Sequence, residues 1–176
     1  MDYENNRLRI NNVMKDIDKK RKPIHQLDIS LWNAKNFYKK LCSISPRVEE
    51  LNQSISTVEE EQEIIDLKLT RQALWIALII EIGRLFDTFE KGRKKVISFK
   101  KTLTAPELIA KINSIHGQSI IGEIIQTRNT YTAHISEDKT EVVSAKEICD
   151  SNLEKLLNEL DEPLRLFIST YSQTTT

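Results

Sequence analysis

Glycine and proline are scarce in this chain, four of each among 176 residues. No segment sustains the polar–apolar alternation at period two that a half-buried strand requires. Together these shortages argue against sandwiches and barrels and predict an all-α protein. Cysteine is almost absent as well. Cys42 and Cys149 stand alone, with no CxxC pair and no His or Cys at metal-ligand spacing, so neither a zinc site nor a disulfide framework is indicated and reduced, buried thiols are expected. Charge of one sign is missing too: 26 Lys and Arg balance 26 Asp and Glu, so no global field advertises a polyanion or a membrane surface. The longest apolar run, Ala73 to Ile80, stops at Glu81, far short of the roughly 20 residues of a bilayer span. The opening residues are polar rather than basic-then-apolar, which predicts a cytoplasmic protein with no membrane partner.

What is present is helical patterning. With 39% apolar residues, residues 1–171 suffice for one domain with one sizeable core, and residues 172–176 read as a disordered tail. The pattern predicts an up-and-down bundle of about five to six helices around a long, buried central helix. A weakly amphipathic helix is expected over Tyr3 to Lys20. A second would start near Asp28, carry Leu31, Trp32, Ala34, Phe37, Tyr38 and Leu41 on its core face, and end at Ser45-Pro46. Ser56-Thr57-Val58-Glu59-Glu60 holds two overlapping capping boxes, from which the long helix runs toward Phe89 with Lys91-Gly92 as its stop. Its middle, Ala73 to Ile82, is apolar on nearly every side, and Trp32 and Trp75 are both expected in the core. Thr104-Ala105-Pro106-Glu107 starts a short helix that His116-Gly117 closes, and Ser144-Ala145-Lys146-Glu147 caps a last helix through Leu160, with Pro163 kinking or restarting it.

Against this apolar background, Thr127 to His134 stands out. Ile121, Ile125, Arg128, Thr132 and Ile135 follow one inward stripe, and Ile120, Ile124, Thr127, Tyr131 and His134 follow the stripe beside it. A guanidinium facing protein must be paired or line a polar cleft, because an unpaired buried charge is expensive. Arg128 and His134 are six residues apart, which on a continuous helix is about 120° of rotation and about 9 Å of rise. They meet on one phosphate only if the helix ends or bends near Ala133, or if a second copy of the chain brings its own motif across a symmetry axis. His116 and His25 read as structural, as a helix-end cation and a turn residue, and Glu81 as a paired buried carboxylate. Up to residue 101 the chain carries 20 basic and 15 acidic side chains, a balance of +5 that residues 102–176 reverse. Lys91, Arg93, Lys94 and Lys95, with Lys100 and Lys101, form its densest basic stretch, a candidate for sequence-independent phosphate contacts.

Arg128-Asn129, four intervening residues and His134 resemble the RNxxxxH motif of the HEPN superfamily of metal-independent ribonucleases. Arg84-Leu85-Phe86-Asp87, then Val96 to Leu103, then Arg128-Asn129 and Ala133-His134 are similar to its abortive-infection branch, over roughly Leu69 to Ile135. The resemblance implies a HEPN-like bundle and a homodimeric endoribonuclease, a toxin or antiphage effector, cleaving RNA such as tRNA through the adjacent 2′-hydroxyl and held by an antitoxin protein. It implies no metal and no cofactor. His134 would be the base, Arg128 would stabilise the phosphorane, and Asn129 would position the phosphate or hold the histidine tautomer. Tyr131 would orient the ring, while Arg84 and Asp87 would support the site, Asp87 as a partner of Arg128. The competing expectation is a non-catalytic HEPN-like module that binds a nucleotide or a protein in the same pocket.

Overall fold

The structure is a computed structural model that describes residues 2–86, 97–102, 105–133 and 143–173, with side chains from Lys22 onward except at 100, 101, 131–133, 167 and 170–173. Among the described residues it is all-α, with no strand. Six helices have seven residues or more: α1 (Asp2–Gln53), α2 (Val58–Phe86), α4 (Pro106–His116), α5 (Ser119–Ala133), α7 (Leu153–Glu159) and α8 (Asp161–Gln173). Two shorter turns, α3 (Phe99–Thr102) and α6 (Ala145–Asp150), complete the order.

The first two expected helices are one. α1 runs for 52 residues through both Pro23 and Pro46. The reason is a single stripe that neither proline interrupts: Ile24, Leu27, Leu31, Ala34, Tyr38, Leu41, Ile44, Val48 and Leu51 recur at three- and four-residue intervals and are all buried. Each proline removes one backbone bond, and burial on both sides outweighs that loss. Ser45, just before Pro46, turns its hydroxyl back to the Leu41 carbonyl at 2.8 Å. The same stripe corrects the placement of Trp32. Its position lies about 100° from Leu31, and it is 66% exposed.

α1 and α2 form an antiparallel hairpin, with Asn33 opposite Glu81 and Arg47 opposite Glu63. α2 starts where its capping signal lies. Thr57 Oγ1 accepts from the Glu60 N–H at 3.1 Å, and the Glu60 carboxylate reaches back to the Ser56 and Thr57 N–H groups at 2.8 and 3.2 Å. α2 is the central helix, touching α1, α3, α5 and α6. Trp75, Leu78, Ile79, Ile82, Leu85 and Phe86 are buried, yet the helix is not enclosed all round. Val58, Ile65, Leu69 and Ile80 are exposed, and at 7-, 4- and 11-residue intervals they share one line along α2 with half-buried Ile76 and with Gly83.

The C-terminal part is more broken than its pattern suggests. The Ser144–Glu147 capping box forms as expected, but α6 ends at Ser151, whose backbone is extended and whose hydroxyl accepts from the Leu153 N–H at 3.2 Å. A new helix, α7, begins there, and Leu160 closes it before Pro163 enters the first turn of α8. Ser172 and Gln173, assigned above to the tail, are still helical; residues 174–176 lie outside the described residues.

The cysteines are not free thiols. Cys42 of α1 and Cys149 of α6 are disulfide-bonded, their Cα atoms 5.4 Å apart. The wide separation in the sequence hid this, because it is the packing of α6 across α1 that brings the two positions together. Beside the bridge the Tyr38 hydroxyl donates to the Cys149 carbonyl at 3.4 Å, and burial, reinforced by Glu154 and Asp150, pushes its phenol pKa up.

Candidate active site

α5 places the motif. Gly117 closes α4, with its N–H donating to the Asn113 carbonyl at 2.9 Å, and α5 begins two residues later. Ile120, Ile121, Ile124 and Thr127 are buried, so the two inward stripes hold wherever their side chains are described. Arg128 is half-buried and Asn129 exposed.

Arg128 packs against Gly83 of α2. A Cβ built on Gly83 would lie 2.8 Å from Arg128 Nη1 and 2.9 Å from Nε, and nearer still to Cδ. The guanidinium arm therefore lies flat across the backbone of α2, in space that only glycine leaves. Arg128 Nη2 also donates to Asn129 Oδ1 at 3.1 Å. Besides the two roles expected of Asn129, its amide oxygen helps fix the plane of the arginine fork.

One residue earlier, Thr127 anchors the other side. Its hydroxyl donates to the Glu123 carbonyl at 2.7 Å and accepts from the Val143 N–H at 3.2 Å. The Val143 carbonyl in turn accepts from Trp75 Nε1 at 2.9 Å. The chain thus leaves α5 past Arg128 and is back at Thr127 by Val143, tied there to α2 through an indole. The sequence shows Thr127 only as a stripe member, and its bonding depends on where Val143 returns.

The other expected site residues distribute as follows. His134, Asp87, Lys91, Arg93, Lys94 and Lys95 lie outside the described residues. So does the side chain of Tyr131, whose backbone belongs to α5. Arg84 is 62% exposed and its Nη1 donates to Glu81 Oε1 at 3.1 Å, on the side of α2 that faces α1. Glu81 is buried and paired, as expected. His116 stacks obliquely on Phe86, ring centroids 5.5 Å apart, a packing role.

A basic feature that charge runs do not show lies on α2: Lys68, Arg71 and Gln72 border a groove of about 300 Å³ floored by Trp75 and Ala145. Helical spacing, not adjacency, gathers these residues. No helix among the described residues is long and apolar enough to cross a membrane, and no group of three or more potential metal ligands occurs among them. No family model, curated protein or solved structure matches the chain.

Proposed function

We propose that this chain is a metal-independent endoribonuclease of HEPN type, acting as a toxin or antiphage effector from a composite site between two copies. The observation that carries the proposal is the fixed guanidinium of Arg128, laid against Gly83 and braced by Asn129. A phosphorane develops charge on its equatorial oxygens, and a pre-positioned planar fork stabilises it without reorganising during the reaction. An unperturbed imidazole has a pKa near ~6.5, which suits His134 to take the 2′-hydroxyl proton as the 2′-oxygen attacks phosphorus. The 5′-oxygen leaves and takes a proton from water, the hydroxide so formed is neutralised by the proton that His134 took, and the products are a cyclic 2′,3′-phosphate and a 5′-hydroxyl. General-base action of this kind contributes about 10² to 10⁴ in rate.

Two further features support the reading. The groove of Lys68, Arg71 and Gln72 meets the motif through Trp75, Val143 and Thr127, and offers phosphate contacts that read no sequence. The exposed line Val58, Ile65, Leu69 and Ile80 ends on Gly83. Apolar side chains at that spacing suit packing against a second helix, and a second copy seated there would lie beside Arg128.

The test is cleavage of tRNA or total RNA by the purified chain in the presence of a chelator. Fragments ending in cyclic phosphate are expected, and His134→Ala should abolish them with the helical signal and melting temperature unchanged. Cleavage that persists in His134→Ala, or that demands Mg²⁺, overturns the mechanism. Binding of RNA that survives the substitution without any cleavage by the parent protein favours a binding module.

A further inference from the structure

A second polar recess lies between α1 and α2, on a different face of α2 from the line that carries Gly83. It has a volume of about 360 Å³, and Gln26, Ser30 and Asn33 of α1 face Glu81 and Arg84 of α2 across it, with Leu27, Ile29 and Ile97 as apolar walls. That volume lies at the small end of ligand pockets, and five of the eight residues that line it are polar.

Its distinctive group is Glu81. The side chain is 10% exposed. Oε1 accepts from Asn33 Nδ2 at 3.4 Å and from Arg84 Nη1 at 3.1 Å, whereas Oε2 is buried with no hydrogen-bond partner among the described residues. A carboxylate offers about four acceptor sites, and half of them are idle here. Buried acceptors are almost always satisfied, so Glu81 calls for a donor that the described residues do not supply.

The choice of ligand follows from charge and geometry. Glu81 and Arg84 cancel, so a bare cation would be opposed by the guanidinium and a bare anion by the carboxylate. What suits the pair is a neutral, planar group presenting adjacent N–H donors to the carboxylate and an acceptor to the guanidinium or an amide. Among the nucleobases, guanine alone carries two neighbouring donors on its Watson–Crick edge, N1–H and N2–H, flanked by the O6 acceptor. Adenine and cytosine each place a ring-nitrogen acceptor where the second donor is needed, and uracil places a carbonyl. We propose that the α1–α2 cleft is a guanine-binding site, in which a turn of the Glu81 carboxylate brings the buried Oε2 to the cleft and the two oxygens accept N1–H and N2–H, Arg84 donates to O6, and the ring lies between Ile29 and Ile97. Unstacked bases are commonly read in this way, along one hydrogen-bonding edge and two apolar faces. The site stands apart from the nuclease reading, since it serves a free nucleotide and an RNA-borne guanine equally.

Calorimetric titration of the full chain with guanosine, adenosine, cytidine and uridine tests it. Guanosine should bind saturably and the other three at least tenfold more weakly. Glu81→Gln turns an acceptor into a donor facing donors and should weaken guanosine at least tenfold. Arg84→Met changes an exposed position and keeps the test decisive should Glu81→Gln fail to fold; it should weaken guanosine severalfold. Guanosine that does not bind, the four nucleosides binding alike, or an affinity indifferent to either substitution in a folded protein overturns the proposal. Repeating the titration with GMP and with a guanine trinucleotide assigns the source, tighter binding of the oligonucleotide meaning a base presented by RNA. Since no cleavage is read, a failed nuclease assay leaves the result intact, and the reverse also holds.

Discussion

At the scale of single residues, the position that decides most is Gly83. Glycine inside a helix ordinarily lowers stability by about 0.5–1 kcal/mol relative to alanine, so Gly83→Ala should gain that propensity while driving Arg128 off α2. A melting temperature that holds or rises, alongside a loss of RNA cleavage of tenfold or more, is the expected signature; cleavage unchanged in a folded variant would remove the role given to the close approach. Thr127→Val is expected to do the converse. It strips the Val143 N–H of its buried acceptor, at a cost of about 1–3 kcal/mol visible in denaturant unfolding. Arg128 was legible in the sequence because a charged residue on an apolar stripe announces itself, whereas Asn129 is exposed and was picked out only by its place beside Arg128 in the motif. Trp32 was misjudged because the aromatic sits only one position from a true core residue, Leu31. Glu81's idle oxygen was not legible at all, since counting partners requires knowing what α1 brings opposite it.

At the scale of elements, most helix starts were legible and continuity was not. The Ser144–Glu147 capping box forms as written, and of the two overlapping boxes at Ser56–Glu60 the one between Thr57 and Glu60 forms. The unbroken course of α1 depends instead on what its neighbours bury, which no proline rule contains. The two capping boxes also predict how stability responds to acid. The Ser56 hydroxyl and backbone hold the Glu60 carboxyl below its ordinary value, and Ser144 does the same for Glu147. A carboxyl whose folded pKa is lowered contributes stability above its unfolded value, and that contribution disappears as pH falls through the folded value. Melting temperature should therefore drop as pH is lowered from about 5 toward 3, and a Ser56→Ala/Ser144→Ala double variant should show a shallower drop. Equal acid limbs in the two proteins would show that the boxes contribute nothing there.

At the scale of the whole molecule, the Cys42–Cys149 bridge closes a separation of 107 residues. In the chain-entropy account a loop of that size is worth about 4–5 kcal/mol. Urea unfolding with and without dithiothreitol should differ by about that much, and the Cys42→Ser/Cys149→Ser variant should match the reduced protein. The proposed dimer belongs to the same scale. Leu69→Asp, on the exposed line of α2, should halve the mass seen in sedimentation and abolish cleavage together, whereas a variant that stays dimeric or keeps cutting as a monomer would refute the shared site. Overall architecture was readable from period and punctuation. The bridge and the packing of α6 on α1 were not, because each joins positions that only the folded chain makes neighbours.

The bond from Trp75 to Val143 has a practical corollary. The chain holds two tryptophans, one exposed and one clamped by this bond. Replacing Trp32 by phenylalanine would leave a lone fluorophore at the latch where the polypeptide rejoins α5. Its emission maximum then becomes an optical gauge of whether the latch stays shut, readable in real time while RNA is added.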